Sequence, residues 1–338
     1  MKSIMGRGGR LGGFTLIELM ISMVLGLVII GGATGVILAN RQSYRTNEAL
    51  SQVQESARTA FELLARDARE AGISGCESNG RMSNVLDPDG VAWWQTWFGL
   101  AGYDGAATNP AVPISSTVAE RVAGTDSVNL QGIRGLGLSV EFHEPTSANF
   151  KLNATSAAIA EGDVLIACDF DHAAMFQVTN YNTGNVTLVH NTGSTVVPGN
   201  FSKGLGYPPI DTENGNPYTF GPNSQIARLS AVAWYIGNNG RAAEGGRSLY
   251  RRRLDSAAAV TTEEVVAGVS NMEITYRQEG IAEFRDATNV TDWWSVNAMM
   301  ITLTLQSADQ RVATDPTVNS GRIERRFSNI VALRNRVP

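Results

Sequence analysis

With 338 residues, 43% of them apolar and only 17% charged, the chain has the material for a packed core and not the composition of a disordered tail. A net charge of −5 and no basic tail argue against nucleic acid as a partner. Thirty-five glycines, with many Asn, Ser and Thr, predict short strands joined by frequent turns. Two cysteines, Cys76 and Cys168, would stay thiols in the cytosol and pair in an exported domain, so the compartment has to be read first.

The N-terminus supplies it. Lys2, Arg7 and Arg10 precede a stretch, residues 14–39, whose only charge is Glu18. As a helix that stretch is about 26 residues and about 39 Å long, enough to cross a bilayer with its basic flank in the cytoplasm. A secretory signal places a small-residue cleavage site after the apolar run. Here the run passes instead into LANRQSYRTNEAL, and Gly12-Gly13 lies before it. A cut at Gly13 would remove the basic leader and keep the helix; the other reading is an uncleaved signal anchor.

Gly13-Phe14-Thr15-Leu16-Ile17-Glu18 resembles the type IV prepilin signal. That resemblance implies cleavage between Gly13 and Phe14 by a prepilin peptidase, with N-methylation of Phe14. It also implies a role for Glu18, the fifth residue of the mature chain. An ionised carboxylate in hydrocarbon costs roughly several kcal/mol unless it finds a partner. The cationic amine of Phe14 on a neighbouring subunit is such a partner, so the charge drives docking in axial register. The other outcome is local neutralisation, by protonation or by the subunit's own amine.

The helix is expected to continue through residues 40–75. Leu50, Val53, Ala57, Phe61, Leu64 and Ala68 make one apolar stripe at three- and four-residue steps. Arg58, Glu62, Arg66 and Glu70 alternate in sign on the opposite face, which reads as solvated. Gly72 and Gly75 should end it. In the membrane half Gly31 and Gly35 form a small-xxx-small pair, which reads either as close helix packing or as a local weakness. Major pilins usually carry a proline here and this chain has none, so any melting on assembly would use Gly31, Gly32 and Gly35.

Residues 77–126 read as loop-rich. DPDG at residues 87–90 is a turn signal without the ligand ladder of a calcium loop. Trp93, Trp94 and Trp97 read as core first and as partner contacts second. Strands are expected at SVNLQGI, GLSVEFH, DVLIACD, AMFQVTN and NVTLVHN, the last two joined by a hairpin at Asn182-Thr183-Gly184. A polar insert covers residues 192–223. Strands resume at RLSAVAWYIG, RSLYRRRL, MEITYRQ, MMITLTLQS and RRFSNIVALR, with Arg251, Arg252 and Arg253 read as edge or solvent charges.

A second resemblance covers most of this part. ESARTAFELLARDAREAGISGC, GDVLIACD…AMFQVTN, SLYRRRL and FSNIVALRNRVP resemble PilW-type minor pilins, with the J-type pseudopilins of type II secretion close in architecture. The implied fold is α+β and pilin-like: a long N-terminal helix packed on a mostly antiparallel sheet. The implied organisation is a leader (1–13), a transmembrane helical half (14–39), an amphipathic half (40–75) and a periplasmic β-rich domain (76–338), anchored in the inner membrane and later carried in the pilus tip region. An exported domain implies a Cys76–Cys168 disulfide. The implied partners are the prepilin peptidase, other minor pilins, the major pilin, the inner-membrane assembly platform and a tip adhesin. A topmost tip subunit often lacks the glutamate, so Glu18 implies a place below it.

Nothing in the sequence reads as an enzyme. His143, His172 and His190 have no metal-ligand spacing, and GxSxG, Walker A and a helix-opening GxGxxG are missing. CDFDH at residues 168–172 is tempting as a metal site, but Cys168 reads better as half of a disulfide. No cofactor and no metal are expected.

Overall fold

Helix α1 (Leu16–Arg69) runs 54 residues without a break, about 81 Å at 1.5 Å per residue. The computed structural model in which it is seen describes residues 13–333 apart from 74, 77–80, 89–91, 194, 314, 316 and 318. The leader with Lys2, Arg7, Arg10 and Gly12, the Asp89-Gly90 end of the turn signal, and residues 334–338 lie outside the described residues.

Two different faces are written into the one helix. Its first half is exposed all round, from Leu16 through Leu38. In its second half Val53, Ala57, Phe61, Leu64 and Ala68 are buried, with Ala49, Ala60 and Ala65 filling the stripe and Leu50 packed at its margin. The opposite face carries the ion pairs Arg58–Glu62 and Arg66–Glu70, both exposed and therefore screened by solvent. The helix stops at Arg69, short of residue 75. Glu70 caps it, and Gly72 and Gly75 take φ of +80° and +98°, where a Cβ is disfavoured.

Among the described residues fifteen strands follow: β1 (Met82–Asn84), β2 (Leu100–Tyr103), β3 (Ser127–Glu144), β4 (Asn149–Leu152), β5 (Val164–Cys168), β6 (Ala173–Gln177), β7 (Asn180–Asn182), β8 (Thr187–Val189), β9 (Gln225–Asn238), β10 (Arg247–Leu254), β11 (Val260–Ala267), β12 (Val269–Gln278), β13 (Arg285–Asp286), β14 (Val296–Gln306) and β15 (Glu324–Ala332). They form two sheets. Among the described residues the larger has eleven strands, in the order β1-β6-β5-β9-β3-β4-β8-β7, with β10 and β11 continuing from β9 and β2 from β3; of its strand pairs β1–β6 is parallel and the others antiparallel. The smaller is antiparallel, β13-β12-β14-β15. Gly268, with φ +75°, carries the chain from β11 in one sheet to β12 in the other. The fold is therefore α+β, one long helix against a mostly antiparallel β domain.

The main core lies where the helical stripe meets both sheets. Leu64 and Phe61 share it with Trp234, Leu249, Met272, Ile301 and Val331. The end of the helix comes closest of all. Gly72 N–H donates to Gln131 O at 2.6 Å, and a Cβ on Gly132 would sit 2.3 Å from Glu70 O. Glycine at 132 is what lets the last helical turn lie directly on β3.

Several local expectations change. SVNLQGI and GLSVEFH are one strand, β3, bent by a bulge between Gly135 and Leu138 where Gly137 adopts φ +69°. The hairpin at residues 183–186 joins β7 to β8, not β6 to β8. Strand β11 was not anticipated: VTTEEVVA has no clean alternation, and its pairing with β10 is a long-range fact.

The arginine triplet is not solvent charge. β10 lies between β9 and β11, so Arg251 is held inside the fold. Its guanidinium sits 3.1 Å from the Asp67 carboxylate of α1 and 5.6 Å over the Trp234 ring, whose Nε1–H donates to Asp67 at 3.0 Å. Burial raises the Asp67 carboxyl above the usual carboxylate range, and Arg251 and the indole N–H only partly oppose it. This charge, one helical position from Ala68, pins the axial position of α1 on the sheet. Asp67→Ala leaves Arg251 without its main counter-charge and is expected to lower stability by about 3 kcal/mol, with Asp67→Asn milder because it keeps an acceptor for Trp234. Thermal unfolding of the full chain in detergent measures both; equal loss in the two variants would show that charge, not the indole contact, is what matters.

Candidate functional site: the start of the long helix

The first turn of α1 has a cap of its own. Thr15 is extended (φ −82°, ψ 151°), and its Oγ1 accepts from Glu18 N at 3.3 Å. Thr-x-x-Glu is the spacing of a capping box, so the threonine that follows Gly13-Phe14 starts the helix and the glutamate occupies its first turn. There the helix macrodipole favours a negative charge. The charge of Glu18 hides the Thr15 cap in the sequence, although its signal, Thr-x-x-Glu ahead of an apolar run, is contiguous there.

Gly13 and Phe14 precede the helix in irregular backbone. No atom lies within 4 Å of a Cβ built on Gly13, and Phe14 is 85% exposed. The bond between them is therefore reachable by a peptidase while the helix behind it is formed. The Glu18 carboxylate is exposed and has no hydrogen bond or ion pair among the described residues. Cap and dipole stabilise the glutamate's place in the helix without supplying the cation a buried carboxylate needs.

The rest of the membrane-length half supports packing against other helices. Ser22 and Thr34 return their hydroxyls to Leu19 O and Ile30 O, at 2.9 and 2.8 Å, and so present no unsatisfied donor to lipid. A Cβ on Gly31, Gly32 or Gly35 would meet nothing within 4 Å, so this flank is open to a neighbour's backbone. The helix is continuous across these glycines. It is long and apolar enough to cross a membrane, compatible with single-pass anchoring.

Cys76, just past the helix, is bonded to Cys168 at the end of β5, with Cα atoms 5.8 Å apart and 92 positions between them in sequence. Reduction, or the double change Cys76→Ser and Cys168→Ser, is expected to cost about 4–5 kcal/mol in the chain-entropy description of a loop that long. Denaturant unfolding with and without reductant is the measurement; equal midpoints would remove the bond from any account of stability.

The tryptophans are packing residues. Trp94 is 3% exposed, and Trp93 and Trp97 lie half-buried against Cys168, Met175 and Leu229. Trp94 does not fit the partner-contact role, because its ring is spent on the core behind the disulfide. The residues of CDFDH are also committed elsewhere. Asp169 accepts from Asp171 N, His172 N and the Tyr218 hydroxyl, and His172 joins Asp171 to Leu205 O. Among the described residues no group of three His, Cys, Asp or Glu could hold a metal ion.

The other two histidines form a pair that no local signal announced. They lie 47 residues apart, with Nε2 atoms 3.4 Å apart, among Phe150, Phe176 and Phe220. Phe220 N–H donates to His143 Nδ1 at 3.1 Å, so the neutral His143 carries its proton on Nε2 and gives it to His190. His190 is left with Nδ1–H, which has no partner. Burial pushes His143 down to about 4 and His190 down to about 3, the neighbouring imidazole adding to the second.

Residues 10–34 match the family described as the prokaryotic N-terminal methylation motif. No curated protein and no solved structure matched the chain. The matched residues contain Gly13, Phe14, Glu18, Gly31 and Gly32, and end one position before Gly35. That motif, at the head of a membrane-length helix with a β domain behind it, supports a type IV pilin-like or pseudopilin protein, a structural subunit and not an enzyme.

Proposed function

We propose that this chain is a minor pilin that helps prime assembly of a type IV pilus from a position near the tip and below its topmost subunit. Glu18 carries the reading: a carboxylate without a partner, one turn into a helix of membrane length. In the bilayer it is a cost; beside the amine of a cleaved neighbour it becomes a contact. Prepilin peptidase would cut Gly13–Phe14 and methylate Phe14. Other minor pilins, the major pilin, the inner-membrane assembly platform and a tip adhesin would then be its partners, with the β domain on the periplasmic side. Priming has a physical logic, since the first subunits of a helical filament meet before any has its full set of neighbours, and a preassembled low-copy set lowers that barrier.

The test is a deletion strain. Few or no pili, restored by the full chain, supports priming. Normal pili with failed secretion of exoproteins would move the chain to a type II pseudopilus. Normal pili with poor adhesion would make it a tip binding module.

A further inference from the structure

Residues 310–313, between β14 and β15, lie along α1 toward its apolar end and are fastened there. Gln42 Nε2 donates to Arg311 O at 2.9 Å, Thr46 Oγ1 to Val312 O at 2.9 Å, and Arg45 to Gln310 O at 3.5 Å. Val312 and Ile323 bury against Ala49, with Leu50 and Ala313 beside them. The β domain thus grips its helix only three residues beyond the apolar run, which ends at residue 39.

The helix rise fixes what lies at that height. The run is about 39 Å long, whereas hydrocarbon is about 30 Å thick and hydrocarbon plus headgroups about 40–45 Å. With Phe14 at the cytoplasmic edge of the headgroups, residue 41 lies at about 40 Å and residue 45 at about 46 Å, at the outer edge of the opposite headgroup layer. The side chains there suit it. Arg41, Arg45 and Arg311 are exposed, and Tyr44 is 70% exposed, a tyrosine at the depth where amphipathic rings collect. Asp309, 3.9 Å from Arg45, and Glu48, one turn further from the membrane, are the nearby acids. The face nearest the bilayer stays cationic through Arg41 and Arg311.

We infer that Arg41, Tyr44, Arg45 and Arg311 form a foot on which the β domain rests against the phosphates of an anionic bilayer. The inference rests on membrane anchoring by α1. Its occupant is a lipid surface because the foot is continuous with the apolar span: whatever surrounds residue 39 has its headgroups at residues 41–45. The foot holds the domain upright and at one height before assembly, and a subunit drawn into a filament must leave it.

Hydrogen exchange of the full chain in nanodiscs tests this. The discs contain phosphatidylcholine alone, or equal parts phosphatidylcholine and phosphatidylglycerol. Each arginine near an anionic surface contributes about fivefold, so amides at residues 309–313 are expected to exchange at least tenfold more slowly in the anionic discs. The variant Arg41→Ser/Arg45→Ser/Arg311→Ser should lose that ratio while the amides of β9 stay protected. Inorganic phosphate added to the neutral discs should not reproduce it. Equal exchange in the two discs, a ratio that survives in the variant, or protection by free phosphate would overturn the foot. Failure of the chain to enter either disc would instead sink the anchoring reading, and the foot with it.

Discussion

Glu18→Ala is expected to leave membrane insertion and cleavage intact and to cut incorporation into the filament by about tenfold or more. Insertion should be no worse, because the substitution removes a charge whose presence at membrane depth costs roughly 2–3 kcal/mol or more. Cleavage should persist, because the Gly13–Phe14 bond lies in irregular backbone before the helix and Thr15 still begins it. The Thr15 cap bonds the Glu18 backbone N–H, not its side chain, so the first turn survives the substitution. What disappears is the only group in residues 14–39 that discriminates one axial register from another. The experiment compares membrane level, the mass of the N-terminal peptide and the amount in sheared pili, in a deletion strain. Wild-type incorporation of the variant would show that Glu18 is not the assembly contact. A mature chain that retained Lys2 would refute the processing step on which the contact depends.

Acid should destabilise the β domain through His143 and His190. Both are neutral in the folded chain down to about 4 and about 3, whereas an unfolded imidazole takes up its proton near 6.5. The folded values are depressed, so the unfolded state binds more protons below that point. Stability is complete above about pH 6.5 and falls as pH drops, by roughly 6 kcal/mol for the pair at about pH 4. Asp126 has the opposite sign. Burial raises its carboxyl to about 6, and the folded chain gains its proton first. That offsets roughly 2 kcal/mol of the loss between about pH 6 and pH 4. His190→Leu removes one imidazole and its unpartnered Nδ1–H but leaves the buried His143 Nε2–H without its acceptor, so it should flatten the acid limb by about half at a cost of about 1–2 kcal/mol at neutral pH. An unchanged acid limb would mean that the pair is not what titrates.

The helix was legible because it obeys one local period. An apolar stripe at three- and four-residue steps can be read without knowing what covers it, and the prepilin-like signal is contiguous in sequence. The sheets were legible as strands and not as a topology. β11 hides because it is largely exposed, with only Val266 buried, and is fixed as a strand by its pairing with β10, and β3 reads as two strands because its bulge looks like a break. Arg251 misleads for the same reason. A run of three arginines looks like solvent until β9 and β11 close on either side and Asp67 arrives from α1. The His143–His190 pair depends on two strand registers and a loop, and no window of sequence contains them together.

The two ends of the helix–sheet seam are fastened differently, and a filament under tension would feel the difference. In the proposed filament, load would enter along the exposed first half of α1 and leave through the β domain. Near residue 73 the seam ends in a covalent bond, Cys76 to Cys168. Near residue 42 it ends in a few side-chain bonds to one loop. A pull that separates helix from domain can therefore open the seam only from the membrane side, one contact after another, and must stop at the disulfide. The subunit can stretch without letting go of its domain, and oxidation of two cysteines, not the size of the core, sets how far it can be pulled.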